Sequence, residues 1–294
     1  MHPVASPGRL ISFMQGRGLS PRKSLGQNFL VDANIARKMA KEARLRPEDV
    51  VVEIGPGLGA LTLELARRAR MVVALEIDRG LVRALQEILV DRPNVRLVEG
   101  DALKADFDGL VAKALGLQDR GRLPAYKVVA NLPYYITSPL LRRLLESGFH
   151  IGCMLLMLQA EVARRLVAPP GGKEYGALTV LVQYYARPEI VMQVPRTVFF
   201  PRPEVDSAVV RLDLHARPPV EVGDRDFFFR VVRAAFAQRR KTLANALRSL
   251  VGARGPVEEA LAAAGINSSR RGETLSLEEF AYLSRCLQAC VGRR

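Results

Sequence analysis

Asn131-Leu-Pro-Tyr134 is where residue type and spacing come nearest to chemistry. An amide acceptor, a proline-fixed backbone and a flat aromatic face follow directly on the apolar run Tyr126–Ala130. Pro133 fixes the backbone and leaves the preceding carbonyl of Leu132 available as an acceptor. The group suits a planar amine: two acceptors for its N–H bonds and a ring to stack on. A plain turn with a core tyrosine accounts for the same residues. Two acids hold comparable places. Glu76 closes the apolar run Met71–Leu75, about 20 residues beyond a glycine loop, where an acid takes ribose hydroxyls. Asp101 follows Val95–Val98 and suits the amino group of adenine, because a carboxylate accepts what N6–H donates. A lone acid there also serves as a helix cap.

The element that must position these groups is Val50–Ala60, V-V-V-E-I-G-P-G-L-G-A. Its β-branched start predicts a buried strand. Gly55, Gly57 and Gly59 let the backbone turn and approach a ligand, and apolar spacing predicts a helix over 58–69. Strand, glycine loop and helix open a nucleotide-binding α/β sheet with the ligand at the strand's carboxyl end. A nicotinamide site remains a rival on this feature alone. Further strands are expected at Met71–Leu75, Val95–Val98, Tyr126–Ala130, Ile151–Leu158, Ile190–Val194 and Val205–Leu214, with helices between. Phe199-Phe200-Pro-Arg-Pro203 suits a second stacking wall.

The flanks are basic. Residues 1–27 hold no acid and read as a frayed tail or an arm on nucleic acid, with a short helix possible before Gly16. Ser24-Leu-Gly-Gln-Asn-Phe-Leu30 reads, on composition, as a structural lead-in to a helix capped by Asp32. Beyond Pro218-Pro219 the chain is helical, with a capping box at Ser276 and Glu279. Seven basic residues and no acid lie between Phe227 and Gly255, concentrated at Arg239, Arg240 and Lys241. The domain organisation expected is therefore a basic extension (1–27), a catalytic domain (28–217) and a helical RNA-contacting domain (218–294).

Over 294 residues, Lys and Arg number 44 against 30 Asp and Glu, a net charge of +14, and 36 of the 44 are Arg. That excess points to a polyanionic partner, although binding to a membrane surface or a codon bias toward Arg would produce it too. No apolar run reaches the length of a membrane span, and no apolar signal core opens the chain. Cys153, Cys286 and Cys290 have no metal-ligand spacing and read as reduced, cytosolic thiols. No metal is expected, and the expected location is cytoplasmic.

In combination, the chain resembles a class I S-adenosylmethionine-dependent methyltransferase, and more closely the bacterial small-subunit ribosomal RNA adenine dimethyltransferases, the KsgA/RsmA group. The resemblance runs from about Leu19 to Leu283. It rests on S-L-G-Q-N-F-L, E-I-G-P-G-L-G-A-L-T, Glu76, Gly100-Asp101, N-L-P-Y-Y-I-T-S-P, F-F-P-R-P-E-V-D-S-A-V and A-F-A-Q-R-R-K-T-L in that order. It implies a Rossmann-like sheet with a small all-helical C-terminal domain. It also implies S-adenosylmethionine as cofactor, held by Asn28, Leu30, Gly55, Glu76, Asp101 and Asn131. Asn131, Leu132, Tyr134 and Phe199 would grip the target adenine, and Arg239, Arg240 and Lys241 would meet RNA. The family dimethylates N6 of two adjacent adenosines in a hairpin loop near the 3′ end of small-subunit RNA, on an immature subunit. The alternatives are an Erm-type large-subunit methyltransferase, whose loop usually reads Asn-Ile-Pro-Tyr-Asn where this chain has Leu132 and Tyr135, and a ribosome-assembly scaffold.

Overall fold

The structure, a computed structural model, describes residues 7–238 and 240–291. In chain order its elements begin α1 (Pro7–Gln15), β1 (Phe29–Leu30), α2 (Ala33–Glu42), β2 (Val50–Ile54), α3 (Ala60–Ala66), β3 (Met71–Glu76), α4 (Arg79–Ile88) and β4 (Val95–Glu99). There follow α5 (Phe107–Leu115), β5 (Tyr126–Asn131), α6 (Thr137–Glu146), β6 (Ile151–Gln159), α7 (Ala160–Val167), α8 (Ala177–Tyr185), β7 (Ala186–Val194), β8 (Phe199–Phe200) and β9 (Ser207–Leu214). The chain ends in α9 (Arg225–Ala237), α10 (Leu243–Val251), α11 (Gly255–Ala263) and α12 (Leu277–Val291).

Two compact units form: Met1–Ala163 with Glu189–Leu214, and Arg164–Pro188 with His215–Arg294. The segment 164–188, drawn from sequence into the catalytic domain, thus groups with the C-terminal helices. The first unit carries a seven-stranded sheet in the order β4-β3-β2-β5-β6-β9-β7. The pairs from β4 through β6 are parallel, and β9 runs antiparallel to β6. This is the class I methyltransferase arrangement. All five residues of β2 are buried, as a central parallel strand covered on both faces requires. From β2 the chain winds outward through β3 to β4, then returns to β5 on the other side of β2. That reversal opens a crevice beyond the carboxyl ends of β2 and β5, where open sheets of this kind bind ligands.

The N-terminal segment differs from the frayed tail considered above. Its α1 is docked: Leu10 is fully buried and Met14 nearly so, in a cluster with Phe29, Leu58 and Leu81. Residues at i and i+4 share a helix face, so one contact buries both. Asp32 caps α2 as expected, accepting from the N–H groups of Asn34 and Ile35. In the second unit, Ser276 and Glu279 exchange the two hydrogen bonds of a capping box, at 3.2 and 2.8 Å. Its aromatic core joins Tyr184, Phe228 and Phe229 through tilted and edge-to-face contacts.

Candidate active site

A cavity of about 280 Å³ lies at the carboxyl ends of β2, β3, β4 and β5. Asn28, Leu30, Gly55, Glu76, Asp101, Asn131, Leu132 and Tyr134 all line it. These residues are spread over more than a hundred positions in sequence, and the parallel sheet gathers them because each follows or ends a strand, or belongs to the segment lying over those ends.

Glu76 ends β3 and is 5 % exposed. Its Oε1 accepts from the Ile77 and Asp78 N–H groups at 2.9 and 3.0 Å, and its Oε2 accepts from the Gly57 N–H at 3.2 Å. Burial pushes its pKa up, and these backbone donors pull it back. Gly57 has φ +59°, and a Cβ there would stand 3.1 Å from the Phe29 ring, so the loop that reaches Glu76 requires glycine. Asp101 follows β4 and turns the next residues by accepting from the Leu103 N–H at 2.9 Å. It closes a local turn rather than capping a helix, since the cap of α5 is Asp106, and it also lines the cavity. Directly after Glu76, Ile77 lines the wall with an apolar side chain that is 47 % exposed.

At the other side, Asn131 ends β5 and donates from Nδ2 to the Asn28 carbonyl at 3.1 Å. Because the amide nitrogen is committed there, Oδ1 is the end left to accept. Leu132 is 1 % exposed, and its N–H is held by the Met157 carbonyl at 3.1 Å. Tyr134 is half-buried, and its hydroxyl lies 3.0 Å from the Ser207 hydroxyl. Burial raises its pKa, so the ring presents a neutral phenol.

Phe199 corrects the expected stacking wall. It is 4 % exposed, pairs with Leu30 on the β1–β8 ladder, and packs in the core with Leu30, Val194 and Val209 rather than lining the cavity. Successive strand residues point to opposite faces, and the ladder register turns Phe199 inward. Phe200, opposite Phe29, packs against the other cluster. Arg240 and Lys241 are exposed at the turn between α9 and α10. Arg239 lies outside the described residues.

Sequence reasoning missed Glu53. It is 1 % exposed within β2, lines the cavity, and its Oε2 has no hydrogen-bond partner. Burial pushes its carboxyl up to about 8, with the Thr62 hydroxyl pulling it back and the nearby Glu76 charge adding to the rise. The signal was available: an acid inside an otherwise apolar strand, two residues before the glycine loop. A buried carboxyl oxygen without a partner is costly unless a cation or donor meets it in the cavity. Among the described residues, no group of three or more His, Cys, Asp or Glu side chains is placed to hold a metal ion, and no helix is long and apolar enough to cross a membrane.

The family model for ribosomal RNA adenine dimethylase matches residues 18–289. The chain belongs to that family. Similar curated proteins include ribosomal RNA small subunit methyltransferase A of Moorella thermoacetica, 64 % identical across 98 % of this chain and 100 % of the relative. The protein of that name from Pelotomaculum thermopropionicum is 55 % identical across 96 % of each. Among solved structures, the 23S rRNA methyltransferase ErmE is 32 % identical with a TM-score of 0.67, over 89 % of this chain and all of that one. A dimethyladenosine transferase from Plasmodium falciparum is 25 % identical with a TM-score of 0.69, over 85 % of this chain and 94 % of that one.

Proposed function

We propose that this chain uses S-adenosylmethionine to dimethylate N6 of two adjacent adenosines in a hairpin loop near the 3′ end of small-subunit ribosomal RNA, on an immature subunit in the cytoplasm. The observation that carries this reading is the anchored Asn131 amide, which shares one cavity with Glu76, Asp101 and the unpaired Glu53 oxygen.

The lining fits the cofactor group by group. Glu76 would take the ribose hydroxyls and Asp101 the adenine amino group, with Ile77 against the ring face. Gly55, Asn28 and Leu30 would enclose the methionine end, and the unpaired Glu53 oxygen would face its ammonium. When bound, S-adenosylmethionine supplies a methyl already activated by its sulfonium.

The residues of the chain then have one task, to orient the amine. Adenine N6 is a poor nucleophile because its lone pair is delocalised into the ring. Asn131 Oδ1 and the Leu132 carbonyl each accept one N6–H, which favours a pyramidal nitrogen. Tyr134 stacks on the base and steadies the positive charge that develops on it. No general base is required before attack, since the surplus proton leaves a cationic product. Fixed geometry supplies much of the rate, and the base must leave its stack to enter. RNA contact belongs to residues 218–294, where Arg239, Arg240 and Lys241 offer phosphate ligands.

A small-subunit target is favoured over a large-subunit one by the 64 % identity to a small subunit methyltransferase, against 32 % to ErmE. Incubation with labelled cofactor and undermethylated small subunits, beside large subunits and naked RNA, tests this. Label on two adjacent adenosines of the small-subunit RNA is expected. Label on large subunits alone, or on none, would refute it.

A further inference from the structure

The segment Arg22–Leu30 reaches both sides of the cavity. It meets Asp78, two residues beyond the lining residue Glu76, and it meets the lining residue Asn131. Gln27 makes the first connection. Its Oε1 accepts from the Arg22 backbone N–H at 2.8 Å, and its Nε2 donates to Asp78 Oδ2 at 3.1 Å. The Arg22 guanidinium reaches the same oxygen, with Nε at 3.3 Å. Asp78 is a firm anchor. It is 4 % exposed, its Oδ1 caps α4 by accepting from the Gly80 and Leu81 N–H groups, and its own N–H is held by Glu76 Oε1. One residue after Gln27, the Asn28 carbonyl receives the Asn131 amide. One residue before it, Gly26 has φ +58°, and a Cβ there would stand 3.2 Å from the Tyr135 ring. That turn aims neighbouring residues at opposite partners.

We propose that Gln27 is a positioning residue: its bridge from Arg22 to Asp78 sets the segment so that the Asn28 carbonyl holds the Asn131 amide with Oδ1 toward the target amine. This rests on the reading of Asn131 as an acceptor for N6–H. A primary amide suits the place because one planar group must accept and donate at once. The same bridge links the Glu76 side of the cavity to the amine side, so the orientation of Asn131 depends on a residue that need not touch the base.

The polarity of the bridge can be reversed. Gln27→Glu sets a carboxylate against Asp78. Asp78→Asn still caps α4 through its carbonyl oxygen but turns an NH₂ toward the Gln27 NH₂. Combining the two restores a donor facing an acceptor. Turnover of undermethylated small subunits is measured at saturating cofactor, well below each melting temperature. Each single variant is expected to lower kcat about tenfold, the cost of a loosened geometry. The double variant is expected to return to within about threefold of the parent, the coupling that contacting residues show. Any other pattern overturns the proposal, including parent-like single variants or a double variant no faster than the slower single one. Asn131→Ala is run alongside. If that variant turns over normally, the acceptor reading itself fails; if it is inactive and the reversed pair gives no rescue, only the role of Gln27 fails.

Discussion

The Tyr134 hydroxyl and the Ser207 hydroxyl lie 3.0 Å apart, tying the loop after β5 to the first residue of β9. Ser207 is 1 % exposed, so the tether is fixed at its far end. The ring face and the tether therefore make separable contributions. Tyr134→Phe keeps the face and loses one hydrogen bond, which is expected to lower kcat/KM by about fivefold. Tyr134→Ala removes the face, and base–aromatic stacking of about 1–3 kcal/mol makes its loss the larger by a further factor of about 5 to 150. Methyl transfer to undermethylated small subunits reads both. Equal losses in the two variants would show that the hydroxyl, not the ring, carries the contribution.

Glu53 makes stability depend on pH. Its folded pKa of about 8 stands above the ordinary 4.5, so the folded state holds a proton that the unfolded state has released. The stability contributed by the neutral carboxyl is fully present below about 4.5 and is lost as pH rises through about 8. Denaturant titrations across that window should show stability falling with a slope of up to about one proton. Glu53→Gln should flatten that part of the profile. An unchanged slope in the variant would assign it to another group. The same variant should bind S-adenosylmethionine more weakly at pH 8, where it lacks the charge proposed to meet the ammonium.

The basic turn between α9 and α10 makes a third test. If Arg239, Arg240 and Lys241 neutralise phosphates, replacing all three with Gln removes released counterions as well as affinity. The slope of log affinity against log salt should then fall by about two to three. Affinity that drops without a change of slope, or no drop, would place RNA contact elsewhere.

Much of the site was legible because it is local. Strand, glycine loop and helix follow one another from Val50 to Ala66, and Glu76, Asp101 and Asn131 each end or follow an apolar run. A parallel sheet does the rest, since it sets those ends side by side. What could not be read depends on register or distance. Phe199 and Phe200 are equivalent in the sequence, and only pairing with Leu30 and Phe29 decides which face each takes. The burial of α1 depends on Leu58 and Leu81, far along the chain. Gln27 meets Asp78 across 51 residues, and no local pattern announces that contact. Glu53 was hidden differently: its strand was legible, but whether an acid in it faces core or cavity is settled only by what stands opposite.

The central claim is that Asn131 orients an amine and contributes little to holding the cofactor. Cofactor affinity by calorimetry and single-turnover methylation of undermethylated small subunits, both on Asn131→Ala, test it most directly. Affinity within about tenfold of the parent is expected, with a transfer rate lower by about a hundredfold or more. A parent-like transfer rate, or a loss confined to cofactor affinity, would contradict the claim.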